Sequence, residues 1–577
     1  MSQLNKWLAL IVAIVVLGAG SVDWPLASAR WHEQLASRLL AQTGIRAVAE
    51  GRVTMRLLPR PRLRFADVHT VPAAQGLDVQ GVELGGDVVL SSLLFGAFAL
   101  DNLTLRGGAV QFDINKWHKT HDSKADPIAK IGMAQVRLIH TDLQLMSGAQ
   151  RLAVNLHDAN VLIDQPNRDA PLLIKARAQW QNKPLQFQLW VANLARLRAQ
   201  RLSDVAVVID HPDLRLSFAG TALIDEALLG PRSAFTGDLV LSAAQLPPLE
   251  LFADVRPLIV RWRSGIRIQT HLHATAAAVD ATHLELSLAD THFSGVLAYR
   301  PKGAGSEIVG TLATQNLELH PQLWANAASF AQEAQIDAHA EKAWQNAPNL
   351  DLRLSIEHGE IANQSFSNAA LSLTIEKDRL NIELAHAEGG NGEAQGRVSL
   401  DFAKDPIETQ IRAHVQHIDF TRICVKPACN IPLDGALNVD LSLQSAGVSP
   451  IPKLGDLRGT VHLEWRDGAI EGIDVSRTMR RINRSAKPLV RDLNLGSTPF
   501  TKLQLNTLVN GGVAQVQSGQ LANSAMSMSL GGSIDLNGEK LDLDARANQN
   551  EPQQANNSPL ALHIKGPWQR PVVDIRP

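Results

Sequence analysis

From Arg46 onward, hydrophobic and polar residues alternate with a period of two, in runs short enough to be strands. Clear runs are Leu103-Thr104-Leu105, Val110-Gln111-Phe112-Asp113-Ile114, Leu284-Glu285-Leu286-Ser287-Leu288 and Leu437-Asn438-Val439-Asp440-Leu441-Ser442-Leu443. Three more lie close together: Leu352-Arg353-Leu354-Ser355-Ile356, Leu371-Ser372-Leu373-Thr374-Ile375 and Leu380-Asn381-Ile382-Glu383-Leu384. Successive side chains of a strand point to opposite faces, so each run has one apolar and one polar face. Turn signals separate the runs: Gly107-Gly108, Gly389-Gly390-Asn391-Gly392, Asp467-Gly468 and Asn537-Gly538. Helical patterns are few. Trp24 to Gln42 has Trp31, Leu35 and Leu39 at four-residue spacing with Gly44 just beyond, Pro321 to Trp344 is Ala-rich, and Leu246 to Trp262 is apolar but irregular. Asp474 to Leu493 is basic, with Arg477, Arg480, Arg481, Arg484, Lys487 and Arg491. None has β-crossover spacing, so the predicted class is mainly β with a few short helices, and the apolar face must be buried either in compact sandwiches or along an elongated, curled antiparallel sheet that forms an open trough.

One segment breaks this texture. Trp7 to Val22 is apolar and uncharged, with Lys6 before it and Asp23 after it. A spanning helix needs about 20 apolar residues, with about 17 to 25 tolerated. Flanking Trp24 and Leu26 bring the segment near that length, which predicts an N-terminal transmembrane helix. The rival is a cleaved signal peptide, for which Ala27-Ser28-Ala29 offers a small-x-small site. That site lies past Asp23, Trp24 and Pro25, well beyond the apolar core, and favours a retained anchor. Either reading places the bulk of the chain outside the cytoplasm, with Lys6 on the cytoplasmic side.

Composition narrows the class further. The 577 residues carry 55 Lys+Arg against 57 Asp+Glu, a net charge of -2, which gives no footprint for nucleic acid. Hydrophobic residues at 45% exclude a disordered chain. A mean hydropathy of -0.06 is too low for several spans, and a single Tyr is too few for the aromatic girdles of an outer-membrane barrel. The two cysteines, Cys424 and Cys429, flank Val-Lys-Pro-Ala. In an oxidising compartment they read as a disulfide closing a tight loop, the alternative being two free thiols. A zinc site would need further ligands that the neighbouring sequence lacks.

Catalytic chemistry finds little support. His271 and His273 would share a strand face, with His283 and His292 further along, and read as a solvated face without a supporting carboxylate or Cys. His32-Glu33 begins like a zincin helix, but Ala36 stands where the second His is needed. No nucleophile elbow, phosphate-binding loop or dinucleotide fingerprint occurs. Asp467 and Asp474 could be a carboxylate pair, but Asp474 before a helix reads more simply as an N-cap. The expectation is a non-enzyme without cofactor or metal.

The ends of the chain carry a family pattern. Leu457-Arg458-Gly459-Thr460-Val461-His462-Leu463 leads into Asp467-Gly468-Ala469-Ile470-Glu471-Gly472-Ile473-Asp474. The basic segment follows, then Gly496-Ser497-Thr498-Pro499-Phe500, Val509-Asn510-Gly511-Gly512-Val513 and Gly531-Gly532-Ser533-Ile534-Asp535-Leu536. This order resembles the C-terminal module of the AsmA family, with Asp467, Gly468, Gly472 and Asp474 as its strand-to-helix turn. The stretch from Leu562 to Pro571 resembles its last strand. Near the start, Leu57-Leu58-Pro59-Arg60-Pro61 and Leu93-Leu94-Phe95-Gly96 before Asp101-Asn102-Leu103 are similar to the family's opening. The resemblance covers about 1–115 and 455–577; the middle shares only strand-and-turn texture. The organisation it implies is an anchor over 1–23, an N-terminal region over 24–115, an extended groove over 116–454 and a C-terminal module over 455–577.

The resemblance implies a single-pass bacterial inner-membrane protein facing the periplasm, of the bridge-like lipid-transfer type. It also implies phospholipid traffic to the outer membrane and support of outer-membrane homeostasis. Candidate lipid-groove residues are then Leu352, Leu354, Ile356, Leu371, Leu373, Ile375, Leu380, Ile382 and Leu384. Expected partners are an acyl-chain lipid, the inner membrane through Trp7–Val22, and a protein at the outer membrane or in the periplasm. The alternative is a scaffold or assembly factor for outer-membrane proteins, with closed sandwich cores in place of a groove.

Overall fold

The computed structural model describes residues 17–26, 47–70, 76–88, 100–113, 135–147, 152–167, 169–225, 232–244, 265–288, 290–302, 305–319, 349–361, 364–423, 431, 433–447, 452–482, 496–550 and 559–576. These residues form 32 strands and a few short helices. The chain divides into two compact units, Met1–Ala253 with Arg261–Ala289, and Asp254–Val260 with Asp290–Pro577.

The first unit holds the first 17 strands. Residues 17–21 are helical, and the N–H groups of Leu57 and Leu58 donate to the Gly20 carbonyl at 3.1 and 2.7 Å. Most of the expected anchor, residues 7–16, lies outside the described residues. Among the described residues no helix is long and apolar enough to cross a membrane. The helix expected from Trp24 does not begin there: Trp24–Leu26 is a strand, with Trp24 opposite Met55 and Leu26 opposite Val53. The four-residue spacing began only at Trp31, so nothing local held Trp24 in a helix. Residues 27–46 lie outside the described residues.

Gly107-Gly108 is not a hairpin turn. Leu100–Arg106 and Ala109–Asp113 both pair in parallel with Gln135–Ser147, one after the other along it. The glycines therefore kink one long line of chain. Gly107 N–H donates to the Ile139 carbonyl and Asp142 N–H to the Gly108 carbonyl, both at 3.0 Å. Paired residues point to the same side of a sheet, and here an apolar row runs Leu103, Val136, Ile163, Ile174, Leu189, Val207, Phe218, Leu239.

The second unit holds the remaining 15 strands, each paired with the next in sequence. Its last strand, Val572–Arg576, pairs only with Leu560–Pro567, so the sheet stays open among the described strands. Fourteen steps of about 4.8 Å give this array a length of roughly 65 to 70 Å. All its pairings but one are antiparallel. Gly305–Leu319 runs parallel to Asn349–Ile361, which corrects the expectation that no segment acts as a crossover. The 29 residues between them exceed the dozen or so that a parallel connection needs. The helices expected at Leu246 to Trp262 and Pro321 to Trp344 fall outside the described residues, as do Cys424 and Cys429.

Strands of both units are interrupted by β-bulges at residues with left-handed backbones. Asp67, His140, Asp158, His283, Asn368, His417 and Asp467 have φ between 49 and 54° inside strands. Asp, Asn and His are the non-glycine types that tolerate this region best. Each bulge adds a residue on one strand, which bends that strand and increases local twist. Neighbouring strands satisfy the displaced amides. His140 N–H donates to Asn160 Oδ1 at 3.3 Å, Asp158 N–H to Asp142 Oδ1 at 3.2 Å and His417 N–H to Asn438 Oδ1 at 2.7 Å. Asp467-Gly468 is accordingly no turn between strands: it lies within Arg458–Glu471, whose pairing with Ser497–Asn510 keeps one register from Arg466 opposite Lys502 to Gly468 opposite Phe500. The extra residue is taken up on the other side, where Ala436 faces Arg466 but Leu433 faces Ile470. A Cβ on Gly468 would meet the Asp434 carbonyl oxygen at 2.2 Å, so only glycine fits.

Candidate functional site

In the second unit the apolar residues of consecutive strands fall into register and form continuous rows. One row runs Leu352, Leu373, Ile382, Val398, Ile411, Leu443. A second runs Leu354, Leu371, Leu384, Gly396, Ala413, Leu441, and a third Leu350, Ile375, Leu380, Leu400. Ile356 lies opposite Ala369 on the same face. All nine residues singled out in the sequence therefore share one face. The opposite face is polar: Arg353, Ser372, Glu383 and Arg397 form a parallel row, with Arg397 Nη2 2.6 Å from Glu383 Oε2.

The apolar rows are not sealed. Ile356 and Ile375 are buried, but Leu352, Leu354, Leu371, Leu373, Leu380 and Leu384 are only half-buried and Ile382 is 37% exposed. A second packed layer would bury these side chains fully. Fully burying one Leu or Ile is worth about 1.5–3 kcal/mol, and this face leaves part of that unrealised.

The same face is closed further along. The row Leu437, Trp465, Leu503, Leu521, Met528, Ala547, Leu560 continues the apolar side of the sheet. Over it lies the helix Val475–Ile482, whose Val475 and Met479 are buried in one cluster with these residues and Phe500. The family-like turn builds this cover. Gly472 has φ 83°, a left-handed conformation that only glycine adopts freely, and its N–H donates to the Gly496 carbonyl at 2.8 Å. Asp474 caps the helix by accepting from Arg477 N–H at 2.7 Å, the N-cap role expected for it. Thr498 Oγ1 accepts from Val475 N–H at 3.1 Å and donates to the Ile473 carbonyl. Arg477 and Arg480 lie on the exposed side, and residues 483–493 of the expected helix lie outside the described residues. Asp467 sits at the bulge and Asp474 at the cap, so the two serve separate backbone roles.

On the polar face behind Trp465, Glu464 is the centre of a charged cluster. Arg466 Nε donates to its Oε1 at 2.5 Å, Gln504 Nε2 to its Oε2 at 2.6 Å, and Lys502 Nζ lies 3.3 Å from Oε2. The Arg466 hydrogen bond first, with Gln504 and Lys502 adding to it, pulls the Glu464 carboxyl down to about 2 against the opposing effect of desolvation.

Histidines elsewhere form cross-strand surface pairs. His271 Nδ1 is 2.9 Å from Asp238 Oδ1 and His273 Nδ1 is 2.8 Å from Thr236 Oγ1. His283 is a bulge residue, and His292 belongs to the other unit. Among the described residues no group of three or more His, Cys, Asp or Glu could hold a metal ion.

Residues 306–518 match the family model of the AsmA family. The chain carries an AsmA family region. It lies within the second unit and takes in both the open rows and the helix-covered start of the C-terminal part. The sequence pattern had placed the resemblance at the two ends; the AsmA match overlaps it over 455–518 and otherwise falls on the middle, where only texture was legible. Among curated proteins none matches the chain.

Proposed function

We propose that this protein carries phospholipids between the inner and outer bacterial membranes, with acyl tails on the apolar sheet face and headgroups in water. The observation that carries the reading is the register of Leu352, Leu373, Ile382, Val398, Ile411 and Leu443, an uninterrupted apolar row whose side chains stay partly exposed. The AsmA family region, which contains this row, supports it. Each CH₂ moved into water costs about 0.8 kcal/mol, so a tail crossing an aqueous gap alone meets a prohibitive barrier. A continuous apolar row lowers that barrier by transferring a tail from strand to strand, without any catalytic group. In this reading Trp7–Val22 anchors the chain in the inner membrane and the remainder occupies the periplasm, supporting outer-membrane homeostasis.

The test is photocross-linking in the full-length protein. A photoreactive residue at Leu373 or Ile382 should capture phospholipid identifiable by mass spectrometry, while the same residue at Arg353 or Glu383 on the polar face should not. Equal capture from both faces, or none from either, would refute the reading.

A further inference from the structure

Trp465 is 6% exposed, and its indole Nε1 is buried without a hydrogen-bond partner among the described residues. A buried indole N–H normally finds an acceptor, and an orphan is costly to the fold. The side chains packed around Trp465 offer no good acceptor: Leu437, Leu503, Val475 and Met479 belong to its cluster, and Phe420 meets it edge-on at 5.8 Å between ring centroids. The donor thus sits in an apolar stripe continuous with the open rows, and what it lacks is an oxygen that can enter hydrocarbon surroundings. A phosphate or carboxylate would have to bring its charge into that stripe. An ester carbonyl at the head of an acyl chain brings an acceptor already attached to apolar surface.

The cover over this stripe is replaceable. Surface helices draw most of their stability from tertiary packing, so Val475–Ile482 depends on the face that it covers. Among the described side chains it buries the apolar Val475 and Met479, beside Thr478. About four to eight methylenes bury as much apolar surface as those two side chains do. We propose that the stripe beneath Val475–Ile482 is an acyl-ester subsite, in which a lipid tail displaces the helix and Trp465 Nε1–H donates to the ester carbonyl oxygen. This rests on the lipid-carrying reading above and adds to it the chemical group that is recognised and the place where it is held.

The experiment uses the full-length protein equilibrated with vesicles containing equal amounts of diacyl and dialkyl phosphatidylethanolamine of the same chain length. Lipid recovered with the protein is quantified by mass spectrometry. The dialkyl lipid has ether oxygens and no carbonyl. Wild type should enrich the diacyl form by about 2- to 10-fold, the ratio that one net hydrogen bond supplies. Trp465→Phe keeps an aromatic ring without the donor, and should bring the ratio to one with total lipid retained. Hydrogen exchange across 475–482 should accelerate on lipid loading in both proteins. Equal uptake of the two lipids by wild type overturns the proposal without need of a variant, as does a preference that survives in Trp465→Phe or a helix that stays protected when loaded. If wild type takes up neither lipid, the lipid-carrying reading itself falls.

Discussion

Between Asn349 and Gly447 the apolar face of the sheet is built from side chains such as Leu373 and Ile382 that remain partly accessible. From Arg458 onward the same face, in the same register, carries Leu503, Leu521 and Met528, all buried, beneath the helix Val475–Ile482. The strands are alike in length and alternation in both regions. What differs is the helix Val475–Ile482: the side chains beneath it are buried in one cluster, whereas those between Asn349 and Gly447 stay partly accessible. Alternation alone therefore does not decide whether a strand face is core or binding surface; the covering element does.

A charge placed on each region separates them most sharply. Leu521→Asp puts a carboxylate into the packed cluster and should cost more than about 4 kcal/mol, seen as loss of cooperative thermal unfolding and proteolysis of the C-terminal part. Leu373→Asp, on the open rows, should leave a folded protein and, in the proposed lipid-carrying reading, one that no longer co-purifies with lipid. If both variants collapse alike, the distinction between track and core is wrong.

A smaller effect sharpens the picture on the polar side of the covered region. The Glu464 carboxyl is held at about 2 in the folded chain, below its ordinary value of 4.5. It therefore contributes stability that is complete above about pH 4.5 and is lost as the pH falls toward 2. Glu464→Gln should be less stable than wild type at neutral pH, and the gap should narrow through that acid window in thermal melts. A gap that is constant from pH 6 to pH 3 would argue against the Arg466–Gln504–Lys502 cluster.

The smallest expected change lies in the open region. Asn438→Ala removes the acceptor for the His417 amide at the bulge and should lower stability by about 1 kcal/mol in urea denaturation. Lipid capture at Ile382 should persist, since the apolar rows are untouched.

Much of the strand content and the sharing of one face by Leu352, Leu373 and Ile382 were legible, because a period of two fixes side-chain direction wherever pairing is regular. The bulges were missed, although a signal exists. In Ile411-Arg412-Ala413-His414-Val415-Gln416-His417-Ile418 the apolar positions slip from odd to even numbers, and the slip coincides with His417. Similar slips run from Leu156 to Ala159 and from Leu384 to Ala387. Asp467-Gly468 and Gly107-Gly108 were misread as turns because an Asp-Gly or Gly-Gly pair permits both a reversal and an in-line kink, and only the partner strand decides. Asp474 was read correctly as a cap, since capping is local. The cover on Trp465 was not legible, because it depends on which face of the sheet the helix Val475–Ile482 packs against.

Pairing each strand with its sequence neighbour makes the second unit a quasi-one-dimensional system. Its stability is then close to a sum of strand terms and nearest-neighbour couplings. Such an array need not unfold all at once. It can fray from the Val572–Arg576 edge inward, and a lesion in one hairpin is felt chiefly by its two neighbours. The parallel step from Leu319 to Asn349 is the exception, because it must close a long loop before any pairing is gained. Folding should therefore run fastest within the antiparallel stretches on its C-terminal side and join them across that step last.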